Sequence, residues 1–125
     1  MDGLATVLIC DDEPPLRELM RIALEPGYVC VEAADGAEAL ELADRLCPNL
    51  VLLDLMLPGL SGYDVIALLR ANVELAHIPI VVVSAFTSEA DRRGAYNAGA
   101  AAFVAKPFDP AALRTLVGEF VSERE

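Results

Sequence analysis

The sequence predicts an α/β domain built on a doubly wound parallel sheet. Short, continuously apolar runs alternate with segments of helical character, and this alternation occurs five times in 125 residues. The runs contain few polar residues, as strands that are buried on both faces require. Proline, glycine and acidic residues mark the junctions between the two kinds of segment. No linker or low-complexity stretch interrupts the pattern, so we expect one domain over residues 1–125.

The predicted strands are apolar runs of four to six residues, which are too short to form helices. The fourth run, IVVV, consists only of β-branched residues, the type most enriched in strands. In chain order the five strands comprise residues 5–10, 28–33, 50–53, 80–83 and 102–105.

The predicted helices follow the strands, and four of them carry a stripe of apolar residues at helical spacing. The stripes consist of Leu16, Leu19, Met20 and Ala23; Ala39, Leu40, Ala43 and Leu46; Val65, Ile66, Leu68 and Leu69; and Leu113, Leu116, Val117 and Phe120. The fourth helix of the chain is predicted over residues 88–98.

Proline and glycine indicate where these helices begin and end. The Pro-Gly pair at residues 26–27 stops the first helix, and Pro48 ends a second helix over residues 36–47. Gly99 suits the left-handed conformation that commonly terminates a helix. The Asp-Pro pair at residues 109–110 predicts an N-cap followed by proline at the first position of the last helix.

Composition excludes several classes of function. The chain carries 20 acidic and 9 basic residues, a formal net charge of −11, whereas generic binders of nucleic acid or of anionic membranes need a cationic surface. The apolar runs are far shorter than the ~18–20 residues of a membrane-spanning helix. The amino terminus lacks the positive segment of a secretory signal. Three cysteines without CxxC spacing argue against a disulfide framework and a zinc site. We therefore expect a cytoplasmic protein that does not bind membranes.

Polar residues follow four of the predicted strands at the points where those strands end. They are Asp11 and Asp12 after the first strand, Asp54 after the third, Ser84 after the fourth and Lys106 after the fifth. Parallel strands place their carboxyl ends at one edge of the sheet, and ligands bind there at the point where the strand order reverses. The topology therefore predicts that these five side chains converge.

The chemistry of these residues favours phosphoryl transfer. Three carboxylates would repel one another by ~4 kcal/mol per pair at a separation of ~4 Å and an effective dielectric constant near 20. Mg²⁺ prefers such oxygen ligands, whereas the absence of clustered histidine or cysteine disfavours zinc. Lys106, the only lysine in the chain, suits a tetrahedral oxyanion, and Ser84 can donate a hydrogen bond to it. Asp54, at the end of the middle strand, is the predicted nucleophile.

The chain resembles the receiver domains of two-component response regulators over essentially its whole length. The resemblance rests on residues 10–14 (CDDEP), 53–59 (LDLMLPG), Gly62, 84–85 (SA) and 106–108 (KPF). It implies a flavodoxin-like sheet in the strand order 2-1-3-4-5 with helices on both faces. It also implies a phosphorylation-dependent signalling switch rather than an enzyme, with only self-phosphorylation from small phosphodonors and slow self-dephosphorylation.

The resemblance assigns Asp54 as the phosphoacceptor, with a phosphohistidine on a sensor histidine kinase or phosphotransfer protein as the donor. It implies Mg²⁺ as cofactor, for which Mn²⁺ can substitute. Asp12 and Asp54 would bind the ion directly, Asp11 mainly through a water molecule, and Met56 through its backbone carbonyl.

The resemblance further assigns Ser84 as the switch hydroxyl, Lys106 as the phosphate counter-ion and Phe103 as an aromatic residue that rotates on activation. Structural roles fall to Pro58, Gly62 and Pro107, and the peptide bond before Pro107 is expected to be cis. The surface of the fourth helix, fifth strand and fifth helix would then bind a downstream effector or an appended output domain. Direct binding of nucleic acid by this domain is not expected.

Two alternatives belong to other functional classes. An aspartate-nucleophile phosphohydrolase shares the sheet, the Mg²⁺ and the acyl-phosphate, but it needs a second acid two residues after the nucleophile, where this chain has Met56. A receiver-like scaffold that acts without phosphorylation typically lacks one of the key residues, and this chain lacks none of them.

Met56 and Phe86 occupy the two positions that tune the lifetime of the phosphorylated state in this family. Neither apolar side chain can hold an attacking water molecule by a hydrogen bond, and both can obstruct its in-line approach. We therefore expect slow self-dephosphorylation. Replacing the pair by Met56→Asn and Phe86→Glu should shorten the lifetime, measured as the decay of phosphoprotein after the donor is removed. An unchanged lifetime would contradict this prediction.

Overall fold

The computed structural model, which describes residues 3–124, contains five strands and five helices that alternate along the chain. The strands are β1 (Thr6–Cys10), β2 (Val29–Ala33), β3 (Leu50–Leu53), β4 (Ile80–Ser84) and β5 (Ala102–Ala105). The helices are α1 (Pro14–Leu24), α2 (Gly36–Leu46), α3 (Gly62–Ala71), α4 (Glu89–Ala98) and α5 (Pro110–Arg124). Every predicted element is present, and no predicted strand boundary is wrong by more than one residue.

All strand pairs in the sheet are parallel, and their order is β2-β1-β3-β4-β5. This confirms the predicted doubly wound, flavodoxin-like fold. Because β3 is the central strand, the residue that follows it lies between the ends of β1 and β4. The order of the strands thus decides which loops meet at the functional edge.

Helices cover both faces of the sheet, so the central strand is buried on both sides. Leu50 and Leu52 of β3 pack into a core with α1 and α5, whereas Val51 and Leu53 pack into a second core with α2 and α3. All four side chains are fully buried. Burial of one such side chain contributes roughly 1.5–3 kcal/mol. The sheet is therefore a rigid support for the side chains at its edge.

Three members of the predicted apolar stripes are exposed. Leu19 of α1, Leu46 of α2 and Leu68 of α3 are 40%, 42% and 48% exposed, so the prediction that they belong to the buried faces is wrong. Each residue turns about 100° around a helix, and Leu19 and Leu68 lie at the edge of the arc that contacts the sheet. Leu46 is the last residue of its helix. In α1 the buried face is centred instead on Met20, Ala23 and Leu24.

The helix ends follow the predicted signals with two differences. Asp109 caps α5 as predicted, because its Oδ1 accepts a hydrogen bond of 3.0 Å from the Ala111 N–H. Helix α2 ends one residue before its predicted boundary, and Cys47 adopts the left-handed conformation with φ = 46°. Gly99 has φ = 125°, which is positive as predicted but lies outside the left-handed helical region. The bond between Lys106 and Pro107 is cis, as the resemblance implied.

No helix within residues 3–124 combines the length and the apolar character needed to cross a membrane.

Gly62 is a position where the fold leaves no room for a side chain. A Cβ atom there would lie 2.5 Å from the carbonyl oxygen of Asp54 and 2.6 Å from Cα of Leu55. Both are backbone atoms, which cannot move aside as the end of a flexible side chain could. Gly62 therefore lets α3 begin directly against the segment that carries Asp54.

Gly62→Ala should lower the free energy of unfolding by about 1–3 kcal/mol, the usual cost of overpacking. Gly118→Ala is a matched control in α5, where the added Cβ would meet only the Tyr28 hydroxyl at 3.6 Å. The control should stabilise the protein by roughly 0.5–1 kcal/mol because alanine favours the helix. Urea unfolding of the two variants measures both effects, and equal stabilities would contradict the role assigned to Gly62.

Candidate functional site

The carboxyl ends of the central strands are tied together by backbone hydrogen bonds. The N–H of Asp54 donates to the carbonyl of Cys10 at 3.0 Å, and the N–H of Lys106 donates to the carbonyl of Ser84 at 2.9 Å. These bonds extend the pairing of the strands by one residue beyond their ends. The predicted site residues are thereby held in adjacent rows along one edge of the sheet.

Lys106 joins two of the three acids at this edge. Its ammonium nitrogen lies 2.8 Å from Oδ2 of Asp11 and 2.9 Å from Oδ2 of Asp54. The three side chains are nearly inaccessible, with exposures of 11% for Lys106, 0% for Asp11 and 8% for Asp54. Asp54 and Asp11 are 52 and 95 residues away from Lys106 in the sequence, and the fold brings the three side chains together, as the topology predicts.

The remaining carboxylate oxygens of the two buried acids accept backbone hydrogen bonds. Oδ1 of Asp11 accepts from the Glu13 N–H at 2.9 Å, and Oδ1 of Asp54 accepts from the Met56 N–H at 3.2 Å. Each contact closes a turn in which the side chain bonds to the backbone two residues later. Both carboxylates are therefore fixed in direction by their own loops and by the lysine.

Asp12 completes an acidic cluster with Asp11 and Asp54. One carboxylate oxygen from each of the three lies within 4.8 Å of the other two. Oxygens that share one Mg²⁺ lie at most about 4.2 Å apart, and neighbouring ones about 3 Å, so binding the ion would hold the three carboxylates closer together than 4.8 Å. Asp12 is exposed, so its side chain has room to make that adjustment. The donor set is entirely oxygen, so these residues fit Mg²⁺.

The electrostatics of the site are dominated by the excess of carboxylates. Burial by itself lowers the pKa of Lys106, but the hydrogen bonds and the charges of Asp11 and Asp54 outweigh it, and the pKa is raised. Lys106 therefore stays protonated at neutral pH. When ionised, the three acids outnumber this one cation, so the edge keeps a net negative charge that favours a divalent cation.

Ser84 is fully buried at the end of β4, and its hydroxyl is engaged within its own loop. The Ser84 Oγ accepts a hydrogen bond of 3.1 Å from the Phe86 N–H. The backbone pairing with Lys106 places the residue beside the acidic cluster. In this conformation the hydroxyl is held by the β4–α4 loop rather than by a carboxylate of the site.

Phe103 is half-buried on β5, where it pairs with Val82 of β4. The Arg92 guanidinium of α4 lies over its ring, 4.7 Å from the centroid. Such a cation–π contact contributes roughly 0.5–1 kcal/mol at an exposed site. Nothing in the sequence indicated this contact, because arginine on a helix face is usually solvated.

The other predicted site residues lie on the surface around the cluster. The side chains of Met56 and Phe86 are 56% and 47% exposed. Pro58 and Pro107 are also exposed, in the loops that follow β3 and β5. Two large apolar side chains are therefore exposed near an acidic site, Met56 in the β3–α3 loop and Phe86 in the β4–α4 loop.

The fold and the site together define a class: a doubly wound α/β domain with an acidic cation site and one lysine at the carboxyl edge of its sheet. A family model for the response regulator receiver domain matches residues 7–118. The chain therefore belongs to the receiver domain family of two-component response regulators, which confirms the resemblance seen in the sequence.

Relatives of known description agree with this assignment. The chain is 42% identical over 108 residues to the DNA-binding response regulator MtrA of Mycolicibacterium smegmatis. The aligned segment covers 86% of this chain and 46% of MtrA. It is 38% identical over 109 residues to the phosphate regulon transcriptional regulatory protein PhoB of Pseudomonas aeruginosa, covering 86% and 48%. The chain thus spans about half the length of these relatives.

Solved structures share the whole fold. The chemotaxis protein CheY4 of Vibrio cholerae superposes with a TM-score of 0.88 at 27% identity, covering 94% of this chain and 99% of CheY4. A CheY-like receiver domain protein of Methanospirillum hungatei gives a TM-score of 0.90 at 27% identity, covering 98% and 97%.

Lys106→Met should destabilise the protein strongly when no divalent cation is present. The substitution leaves Asp11 and Asp54 buried without their counter-ion, and breaking a buried pair in this way costs about 3 kcal/mol or more. Urea unfolding in the presence of a chelator measures the loss. Asp12→Asn is the control, since it removes a repelling charge and none of the hydrogen bonds described above. A Lys106→Met variant as stable as the control would contradict this view of the site.

Proposed function

We propose that this chain is a phosphorylation-dependent signalling switch in which residues 1–125 act as one receiver domain. Asp54 accepts a phosphoryl group from a phosphohistidine donor, and the protein then changes its binding partners. The observation that carries the proposal is the ammonium of Lys106, which bonds to Asp11 at 2.8 Å and to Asp54 at 2.9 Å within a cluster of three carboxylates.

Among the three acids, Asp54 is the proposed acceptor because it follows the central strand and hydrogen bonds fix the direction of its carboxylate. Its carboxylate is held by Lys106 on one oxygen and by the Met56 N–H on the other. In the transfer, a carboxylate oxygen forms a bond to phosphorus while the bond from phosphorus to the donor imidazole breaks. The imidazole keeps the electron pair of that bond and takes up a proton. Positioning and charge balance are the main requirements of such a reaction.

The acidic cluster would hold Mg²⁺ through Asp12, Asp54 and the backbone carbonyl of Met56, with Asp11 acting through a water molecule. The ion would supply positive charge that balances the acceptor carboxylate and the incoming phosphoryl oxygens. Lys106 provides the second positive charge, and its hydrogen bonds to Asp11 and Asp54 raise its pKa before the transfer.

The switch begins with the new charge on Asp54. A phosphoryl group adds about −1.5 to −2 charges. Ser84 then exchanges its bond with the Phe86 N–H for one to a phosphoryl oxygen, which draws the β4–α4 loop inward. Phe103 turns into the vacated space and leaves the Arg92 guanidinium. The exposed surface of α4, β5 and α5 changes as a result.

The partners follow from the family and from the relatives. The phosphodonor is a sensor histidine kinase or a histidine phosphotransfer protein, and the site of action is the cytoplasm. MtrA is described as a DNA-binding response regulator, and this chain spans only about half of it. The output of the present chain therefore lies in an effector protein or an appended domain, whereas the receiver itself, with its net charge of −11, does not contact nucleic acid.

Acetyl phosphate should label the protein stoichiometrically when Mg²⁺ is present, and Asp54→Asn should abolish the label. Asp44→Asn removes one exposed acid from α2 and should leave labelling unchanged. Intact-mass spectrometry measures the phosphorylated fraction. Labelling that survives Asp54→Asn would contradict the assigned acceptor. Repeated turnover of p-nitrophenyl phosphate would favour a phosphohydrolase, and no labelling at all would favour a scaffold that acts without phosphorylation.

A further inference from the structure

An arginine on α1 bonds to the backbone of the acidic cluster from outside it. The Nη1 of Arg17 donates to the backbone carbonyl of Asp11 at 2.7 Å, and its Nε donates to Oε1 of Glu32 on β2 at 2.8 Å. The side chains of Arg17 and Glu32 are only 16% and 24% exposed. Arg21, one helical turn later, bonds to the other carboxylate oxygen of Glu32 at 2.6 Å. We infer that Arg17 is a positioning residue for the cation site, an inference that rests on the proposed function.

The carbonyl that accepts the hydrogen bond from Arg17 belongs to the peptide group between Asp11 and Asp12. A peptide group is planar, so fixing the direction of its carbonyl fixes the plane that leads into the next residue. That plane sets where the Cα of Asp12 lies and where its side chain starts. Arg17 thereby controls the placement of Asp12 without touching its carboxylate.

Asp12 depends on this control more than its two neighbours do. The buried carboxylates of Asp11 and Asp54 are each held by Lys106 and by a backbone N–H. Asp12 is exposed, and among the described residues no hydrogen bond to its carboxylate is formed. Its direction is therefore set by the backbone of the β1–α1 loop, and the Arg17 contact is the side-chain bond to the peptide group that leads directly into Asp12.

An arginine suits this task better than a lysine. Its planar guanidinium donates in two directions at once, and here the two directions are the Asp11 carbonyl and the Glu32 carboxylate. Glu32 lies on β2, so the fork joins the Asp11 carbonyl to a side chain of the sheet. A lysine presents a single nitrogen, which would have to lie within hydrogen-bond distance of both oxygens at once.

Positioning and electrostatics predict opposite effects of removing Arg17. If its charge mattered most, loss of a cation beside the acidic cluster would increase the affinity for Mg²⁺. If positioning matters most, the affinity falls because Asp12 must be ordered when the ion binds. Arg21 carries the same charge, lies on the same helix and bonds to the same glutamate, but it makes no described contact with Asp11. It is the matched control.

The test is a titration of metal-free protein with Mg²⁺ by isothermal calorimetry. Arg17→Ala should bind the ion about tenfold more weakly, the lower end of what loss of an outer partner of a metal ligand costs. Arg21→Ala should bind it as tightly as the wild type or slightly more tightly. Arg17→Lys keeps the charge and is conservative enough to fold, and it should also bind more weakly.

Labelling by acetyl phosphate gives a second readout that a general loss of structure would not mimic. In Arg17→Ala the Mg²⁺ concentration for half-maximal labelling should rise, while the rate at saturating Mg²⁺ stays close to that of the wild type. Wild-type affinity in both Arg17 variants, or an equal loss in Arg21→Ala, would overturn the inference and leave the proposed function intact. A wild-type protein that binds no Mg²⁺ would instead overturn the proposed function.

Discussion

Repulsion among three carboxylates at one edge of the sheet is the constraint on which the rest of the site depends. The strand order brings the acids together, because β1 and β3 are neighbours and the acids follow both strands directly. Lys106 bonds to Asp11 and Asp54 and offsets part of this repulsion. The negative charge that remains favours a divalent cation.

The two sides of the site differ in how firmly they are held. On the β1 and β3 side, each of the buried acids Asp11 and Asp54 accepts hydrogen bonds from a backbone N–H and from Lys106. Arg17 also bonds to the β1–α1 loop. On the β4 and β5 side, the Ser84 hydroxyl accepts a bond from the Phe86 N–H of its own loop, and Phe103 lies under the guanidinium of Arg92. The firm side suits the binding of the cation, and the loosely held side suits a change of conformation.

Much of the fold and the convergence of the site could be predicted from the sequence, because both follow from periodicity and from the geometry of parallel strands. Four residues of β3 with no polar side chain indicate a strand that is covered on both faces. The directions of long side chains could not be predicted in this way. Arg17 and Arg92 each contact a residue on another element, and no local pattern encodes those contacts. The exposure of Leu19 could not be predicted because the four apolar positions of its stripe span a wider arc of α1 than the part that is buried against the sheet.

The central claim is that Asp11, Asp12 and Asp54 form one cation site beside the ammonium of Lys106. Anomalous diffraction from crystals soaked with Mn²⁺ tests it most directly, since Mn²⁺ prefers the same oxygen ligands as Mg²⁺ and its position is observed without reference to any activity. We expect a single ion bonded to Asp12 and Asp54, with the ammonium of Lys106 still in contact with Asp54. An ion bound elsewhere, or none at this edge while Lys106 remains paired with both acids, would contradict it.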